Sequence, residues 1–550
     1  MKMLLIVLTL GAALGGTPQQ TATGGHSMPT ADARPATLIP GIQGVSFPIA
    51  TRRDEAQKFF NQGLTLVYAF NHDEAVRSFR RAAEVDPGSP MPWWGIALAL
   101  GPNINLDIDP AREKAAYDAV QRAVELAVRA PAKERAYVAA LAKRYSIAPD
   151  ADLKALAVEY KDAMRQLTRT YPNDNHAATL YAESLMNLRP WALYTSEGSP
   201  VEGTNEIVEV LERVLEREPD HVGANHYYIH ATEASLTPER GLKSAKKLET
   251  LVPAAGHLVH MPAHTYMRTG NYMGALTANA KAAEVDRKYI TETSATGFYP
   301  AMYYNHNLDF LASAAMMAGR HADALKAATE VTANVTPLIG DMPMLEPFAA
   351  KTLFVQIRFA KWNEVLALPA PSASAKVLTA LHHWGRGVAH AALNHAAEAE
   401  QAREAFTAAR KEVPEGTLFN LNPAANVFAV AEAVLDARLA QAKGDAAGAI
   451  EAWKKAVAAE DRITYNEPPD WFYPTRESLG AALFRAKRYE EADLIFREDL
   501  ERNPNSGRSL WGRWQVLRAQ DGDVPATLVV RRRWQDAWND ADIVLRMEDL

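Results

Sequence analysis

The chain has 550 residues, 48% of them apolar and 23% charged, with a formal net charge of −7. That length exceeds one hydrophobic core, so the chain is several domains or one extended repeat. Charges of both signs without a basic stripe exclude a nucleic-acid backbone as partner, and the absence of cysteine excludes disulfides, thiolate nucleophiles, cysteine-based zinc sites and lipid attachment at an N-terminal cysteine.

The chain opens M-K-M-L-L-I-V-L-T-L-G-A-A-L-G-G, with Lys2, an apolar run and small residues after Ala13. This is the pattern of a secretory signal peptide, placed at residues 1–20, and the run is short for a membrane span. Export to a periplasmic or extracellular space is therefore expected, with no membrane span after signal cleavage. Residues 21–48 hold a Pro-, Thr-, Gly- and Ala-rich stretch and are expected to form a disordered tether.

Beyond it, internal repetition begins. F-N-Q-G-L-T-L-V-Y-A-F-N-H-D-E-A-V-R-S-F-R-R-A-A-E-V-D-P (60–87) places small residues at Gly63, Ala75 and Ala82, with Phe79 between and Pro87 at the end. The pattern returns around 263–282, 317–329, 444–456 and 479–496, the last unit closing at Pro504. It resembles the tetratricopeptide repeat (TPR), a helix–turn–helix unit whose small residues let two helices approach closely. Weaker helical pairs fill 91–128, 132–169, 175–217, 345–366 and 376–411, and alternating strand-like runs are nearly absent. The resemblance implies an all-α TPR solenoid, a right-handed superhelix of about 11–12 helical pairs. Its N-terminal half would span 49–366 and its C-terminal half 376–550, with A-L-P-A-P-S-A-S-A (367–375) as linker or inter-helix loop. In such a solenoid the first helix of each unit lines a concave groove, which in this family usually holds peptides.

One block departs from that default. Seven of the fifteen histidines fall between His221 and His306, in H-V-G-A-N-H-Y-Y-I-H-A-T-E, G-H-L-V-H-M-P-A-H-T-Y-M-R and Y-Y-N-H-N-L-D. Even scatter would put about two there. Aligning three units on Gly241, Ala275 and Ala324, His230 and His264 each lie eleven residues before their anchor. His226, His260 and Asp309 lie fifteen before, His257 and His306 eighteen, and Glu233 and Met267 eight. Offsets that differ by three and four residues lie on one helical stripe, so the stripe faces the groove in three consecutive units.

Imidazoles at i and i+4 can share a metal. His226, His230, His257, His260, His264, His306 and Asp309 are therefore the candidate ligands. They exceed the need of one tetrahedral zinc, which leaves room for a dinuclear centre or for partners that orient the ligands. Mixed histidine and carboxylate donors suit Zn, Fe, Mn or Cu(II), and Met261 and Met267 admit reduced copper. Glu233 and, by register with Pro172, Glu183 are the candidate general bases. Arg268, Tyr227, Tyr266 and Asn103 are candidate substrate contacts, and Glu467, Asp470 and Arg476 are weaker polar groups. His221, beside Asp220, reads as a helix-start residue, and adjacent His382 and His383 point to different faces. The histidine-rich helices also resemble those of exported bacterial TPR proteins, a resemblance that carries no reaction. The leading expectation is an exported solenoid binding one or two transition-metal ions, as a metal-dependent hydrolase or oxidoreductase acting on a small molecule. The alternatives are a periplasmic metal carrier or sensor, and a scaffold that takes a peptide or protein in its groove without metal.

Overall fold

The computed structural model describes residues 36–522 and 524–550, so the expected signal peptide lies outside the described residues. Twelve consecutive helical hairpins run from Asp54–Tyr68 with His72–Val85 to Gly507–Asp521 with Pro525–Ala537. Among the described residues the only strands are Leu418–Phe419 and Asn422–Pro423, one short antiparallel pair. No helix among the described residues is long and apolar enough to cross a membrane.

Two recurring turns build the repeat. Within several hairpins one residue takes the left-handed conformation, and the next residue's N–H reaches back five positions. Asn71, Asn271, Arg320, Lys361, His395, Asp445 and Arg488 donate to Leu66, Tyr266, Ala315, Gln356, His390, Ala440 and Leu483 at 2.8–3.0 Å. This bond ends a helix by satisfying a carbonyl that would otherwise be orphaned. Between hairpins, proline does the work. Pro87, Pro172, Pro219, Pro253 and Pro504 each follow a residue pushed out of helical geometry (φ −121° to −138°), whose carbonyl accepts an N–H three residues on at 3.0–3.1 Å.

Packing within the repeat is equally regular. A Cβ on Gly63 or Gly95 would meet the Phe79 ring at 2.7 or 2.5 Å, and one on Gly480 or Gly512 would meet Phe496 at 2.7 or 2.3 Å. Each phenylalanine of an outer helix thus wedges between glycines of two successive inner helices. The repeat needs small residues there because a methyl group does not fit.

Three findings differ from the expectation or refine it. Residues 36–48 do not form a disordered tether. Gln57, Asn61 and Gln62 hydrogen-bond the backbone of Thr37, Ile39, Phe47 and Ile49 at 2.7–3.2 Å, and the Phe47 ring lies 5.2–6.2 Å from Phe60, Trp94, Tyr137 and His176. Residues 367–375 connect helices that share one core, which also contains Val365, Val377 and Leu381. The main core instead changes over within Tyr304–Ala318, where Ala314 belongs to one cluster and Ala312 to the next. The groove beside the histidines, finally, is filled. The end of Asp54–Tyr68 packs on Val222–Thr232, where a Cβ on Gly223 would lie 2.5 Å from the Tyr68 ring. The C-terminal repeats fold back as well, and a Cβ on Gly270 would lie 2.1 Å from the Pro504 carbonyl.

Candidate metal centre

Four inner helices carry the histidines. Val222–Thr232 bears His226 and His230, Gly256–His260 bears His257 and His260, Pro262–Thr269 bears His264, and Tyr304–Ala318 bears His306. Pro262, which has no N–H, separates the second from the third. A π-helical turn at Tyr299–Tyr303 leads into the fourth.

The structure brings all six histidines and Glu233 together. His226, His230 and His257 form one group, His260, His264 and His306 another, and His230, Glu233 and His264 link them, each with donor atoms within 4.8 Å of one another. His226, His257, His260 and His264 are at most 1% exposed, His230 is 6% exposed, and His306 alone is partly open.

Hydrogen bonding sets the tautomers. His226 Nδ1 donates to the Tyr68 carbonyl at 2.6 Å, and His260 Nδ1 donates to Asn279 Oδ1 at 2.7 Å. The Asn279 amide is oriented by its own Nδ2, which donates to the Ala275 carbonyl at 2.8 Å. Glu233 takes His230 Nδ1 on Oε1 at 2.8 Å and His264 Nδ1 on Oε2 at 2.5 Å. With Nδ1 occupied as donor, each of these rings turns an Nε2 lone pair inward. His260 and His264 then face each other Nε2 to Nε2 at 2.8 Å, His306 faces His260 at 3.2 Å, and His257 faces His226 at 3.2 Å. His230 Nε2 is buried with no partner. For His260 and His264, both with Nδ1 committed, two facing lone pairs repel unless a proton or a metal cation lies between them. Two nitrogens on one metal with bonds near 2.0–2.1 Å sit about 2.9–3.4 Å apart, depending on coordination number, so the donor set fits a metal ion.

Electrostatics favour neutral imidazoles at five of the six histidines and draw His264 the other way, towards the Glu233 anion. Burial lowers His226, His257 and His260 well below the usual histidine range, and neighbouring histidines add to it. Burial and the charge of His264 lower His306 to about 3. Burial alone would raise Glu233, but His264 and His230 outweigh it and hold the carboxyl at about 2. Burial lowers His264, and the Glu233 charge and hydrogen bond reverse that to a net rise. Glu233 is thus a fully engaged, strongly acidic carboxylate, which is the wrong state for a general base.

Glu183, the other candidate base, lies outside these groups. It accepts from Asn187, and while burial raises its pKa, Arg144 pulls it down. Asp309 is also outside the donor groups, paired with Lys351 at 2.8 Å. The substrate candidates separate similarly. Arg268 donates to the Glu233 carbonyl at 3.0 Å and lies over the Tyr465 ring. Tyr227 is buried beside Tyr68 and Phe70, Tyr266 donates to Glu249 at 2.6 Å, and Asn103 accepts from the Asn105 N–H at 2.8 Å in its own turn. Met261 is buried and Met267 packs beside Tyr272 and Met317. His221 is the helix N-cap, its Nδ1 accepting from the Ala224 N–H at 3.1 Å.

Three partners were not visible to stripe counting: the Tyr68 carbonyl, Asn279, and Phe70, whose ring lies 4.6–6.1 Å from those of His226, His230 and His257. Asn279 left a trace, as a polar residue between Ala278 and Ala282 on the buried side of its helix. Outside these, Asp286 braces the helices, accepting from Tyr299 at 2.8 Å and Asn307 at 2.7 Å. Gly256 must be glycine there, because a Cβ would lie 1.9 Å from Asp286 Oδ1.

No family model and no curated protein matches the sequence. Solved structures do. A human IFIT1 dimer with m7Gppp-AAAA is 13% identical, with 90% of this chain and 92% of that one covered and a TM-score of 0.34. Yeast Tom70 is 11% identical, with 88% and 90% covered and a TM-score of 0.29. The APC/C hetero-tetramer Cut9–Hcn1 is 12% identical, with 90% and 95% covered and a TM-score of 0.28. Likeness at this level says nothing about ligands, and the repeat is established by the turns and wedges described above.

Proposed function

We propose that this chain is a metal-binding helical-repeat protein that holds two transition-metal ions, one in each histidine triad. His226, His230 and His257 would take the first ion, and His260, His264 and His306 the second. Glu233 orients one ring of each through Nδ1 and supplies the compensating negative charge. The observation that carries this is three Nε2-to-Nε2 approaches of 2.8–3.2 Å among buried imidazoles, of which His226, His230, His260 and His264 have Nδ1 already committed as donor. Nitrogen-rich donors without thiolate favour Zn, Cu(II) or Fe over Mg or Ca.

Within this reading the protein is a metal-dependent enzyme acting on a small molecule that approaches at His306, the one partly open histidine of the set. A permanently closed carrier site is the second reading, favoured by the near-complete burial of the other five. Export belongs to the same proposal, supported by the signal-like first sixteen residues.

Metal analysis of untagged protein tests the core of this. Two equivalents of a transition metal are expected after loading. His230→Ala is expected to lose metal from its triad, whereas His383→Ala, on Lys376–Ala392, keeps both ions. Fewer than one equivalent in the unmutated protein would refute the proposal. Binding of exogenous azide to a cobalt-loaded form separates an open enzyme site from a closed carrier.

A further inference from the structure

We propose that Glu467, delivered by the C-terminal half of the solenoid, is the proton acceptor for a molecule bound beside the His260–His264–His306 group. This rests on the metal-binding reading above and adds a residue to it from more than 150 positions away in sequence.

Residues 461–474 link Ala446–Glu460 to Thr475–Arg485. Most polar groups in and beside this loop are committed. Arg476 forks onto Asp461 at 2.8 and 2.7 Å. Asp470 accepts from Asn420, Asn422 and Asn466 at 2.7–2.8 Å. Glu467 is different. Its Oε1 accepts from the Tyr465 hydroxyl at 2.7 Å, while its Oε2 is buried with no hydrogen-bond partner. The carboxyl is 4% exposed, so bulk water does not serve that oxygen either. A buried acceptor without a donor is uncommon in native proteins and points to a group that arrives from outside the chain. Glu183 Oε2 shares that state, but its charged neighbour is Arg144, whereas Glu467 lies under the charge of the histidine centre.

The surroundings say which side that group comes from. The charged groups that act on Glu467 are His264, Glu233 and Arg268. Two of the three belong to the histidine centre, and Arg268 is tied to it by donating to the Glu233 carbonyl at 3.0 Å. Arg268 also lies 5.5 Å over the Tyr465 ring, and so holds the tyrosine that orients Glu467. Glu467 is in none of the donor groups, so it is not among the residues that would hold the ion. In the metal-free chain burial pushes its pKa up to about 7, with His264 pulling down and Glu233 adding to the rise.

The step is a proton transfer. The O–H bond of an entering water or substrate hydroxyl breaks, the proton passes to Glu467 Oε2, and the bonding pair stays on the oxygen. Tyr465 keeps Oε1 occupied, so the free oxygen is the one that receives it.

The test uses full-length untagged protein loaded with cobalt(II), as unmutated chain, Glu467→Gln and Glu467→Asp. Cobalt stoichiometry and the visible spectrum are followed from about pH 5 to 9, because a carboxyl coupled to a molecule at the ion titrates with it. The unmutated protein should show a spectral transition within that range. Glu467→Gln should keep full cobalt stoichiometry and lose that transition, and Glu467→Asp should restore it. An unchanged transition in Glu467→Gln, or no transition in the unmutated protein, overturns the inference and leaves the metal centre standing. Loss of cobalt in Glu467→Gln also overturns it, by making the residue a ligand or a structural support. Failure of the unmutated protein to take up cobalt overturns the metal reading and this inference together.

Discussion

Replacing Glu233 by glutamine changes one oxygen to nitrogen and should disable both triads. The carboxylate accepts Nδ1 protons from His230 and His264 at once. An amide accepts one and donates to the other, which forces the second ring to move its proton to Nε2, where it blocks ligation. Loss of such an orienting partner costs about 10–100-fold in metal affinity. Stability of the metal-free protein falls too. A carboxyl held at about 2 against an ordinary 4.5 is shifted by about 2.5 units, and at about 1.4 kcal/mol per unit this is about 3 kcal/mol at neutral pH. The group is fully buried, so solvent screening does not reduce it. Because the folded value is depressed, that stability is present above pH 4.5 and is lost as pH falls toward 2. Competition of the loaded protein against a chromophoric chelator measures the affinity, and denaturant unfolding of chelator-stripped protein measures the stability. Asp309→Asn is the control, since it disturbs a buried ion pair with Lys351 but lies outside the donor groups. Glu233→Gln with metal affinity within twofold of the unmutated chain, and unchanged unfolding, would refute the orienting role.

Other expected outcomes follow from the same geometry. Burial lowers His72 to about 3, with Arg112 and Arg144 adding to the shift, so the unfolded chain takes a proton below about pH 6.5 that the folded chain refuses. Stability should therefore fall with pH across that window, and His72→Gln should flatten the loss by about 2 kcal/mol at pH 5, read from denaturation of stripped protein at pH 7 and pH 5. Gly63→Ala places a methyl 2.7 Å from the Phe79 ring and should cost about 1–3 kcal/mol as a lowered melting temperature. Gly340→Ala, with nothing within 4 Å, should leave it unchanged. Removing the ions with chelator should lower the melting temperature of the unmutated protein, because a ligand bound at 1,000 times its Kd stabilises by about 4 kcal/mol. That drop should be smaller in His230→Ala, which is expected to hold less metal.

Much of this molecule is written locally. Phe79 between Gly63 and Gly95, and Pro87, Pro172, Pro219, Pro253 and Pro504 after their helices, act within one or two units of chain. The helix pairs and their order were therefore legible without coordinates. The histidine stripe was legible for the same reason, since three- and four-residue offsets fix which side chains share a face of one helix. Spacing along a helix, however, says nothing about what lies opposite. Asp309 shares the stripe register yet meets Lys351, and Glu183 meets Asn187, because the partner across the gap decides each carboxylate's role. Only the folded chain brings the Tyr68 carbonyl, Asn279, Phe70 and Glu467 to the histidines. Those neighbours come from other hairpins and, for Glu467, from the far half of the solenoid, so their positions depend on how successive hairpins stack and close. No local pattern encodes that closure. The ligand stripe belongs to the periodicity of single helices, whereas burial, tautomers and the carboxylate left without a partner belong to the tertiary structure.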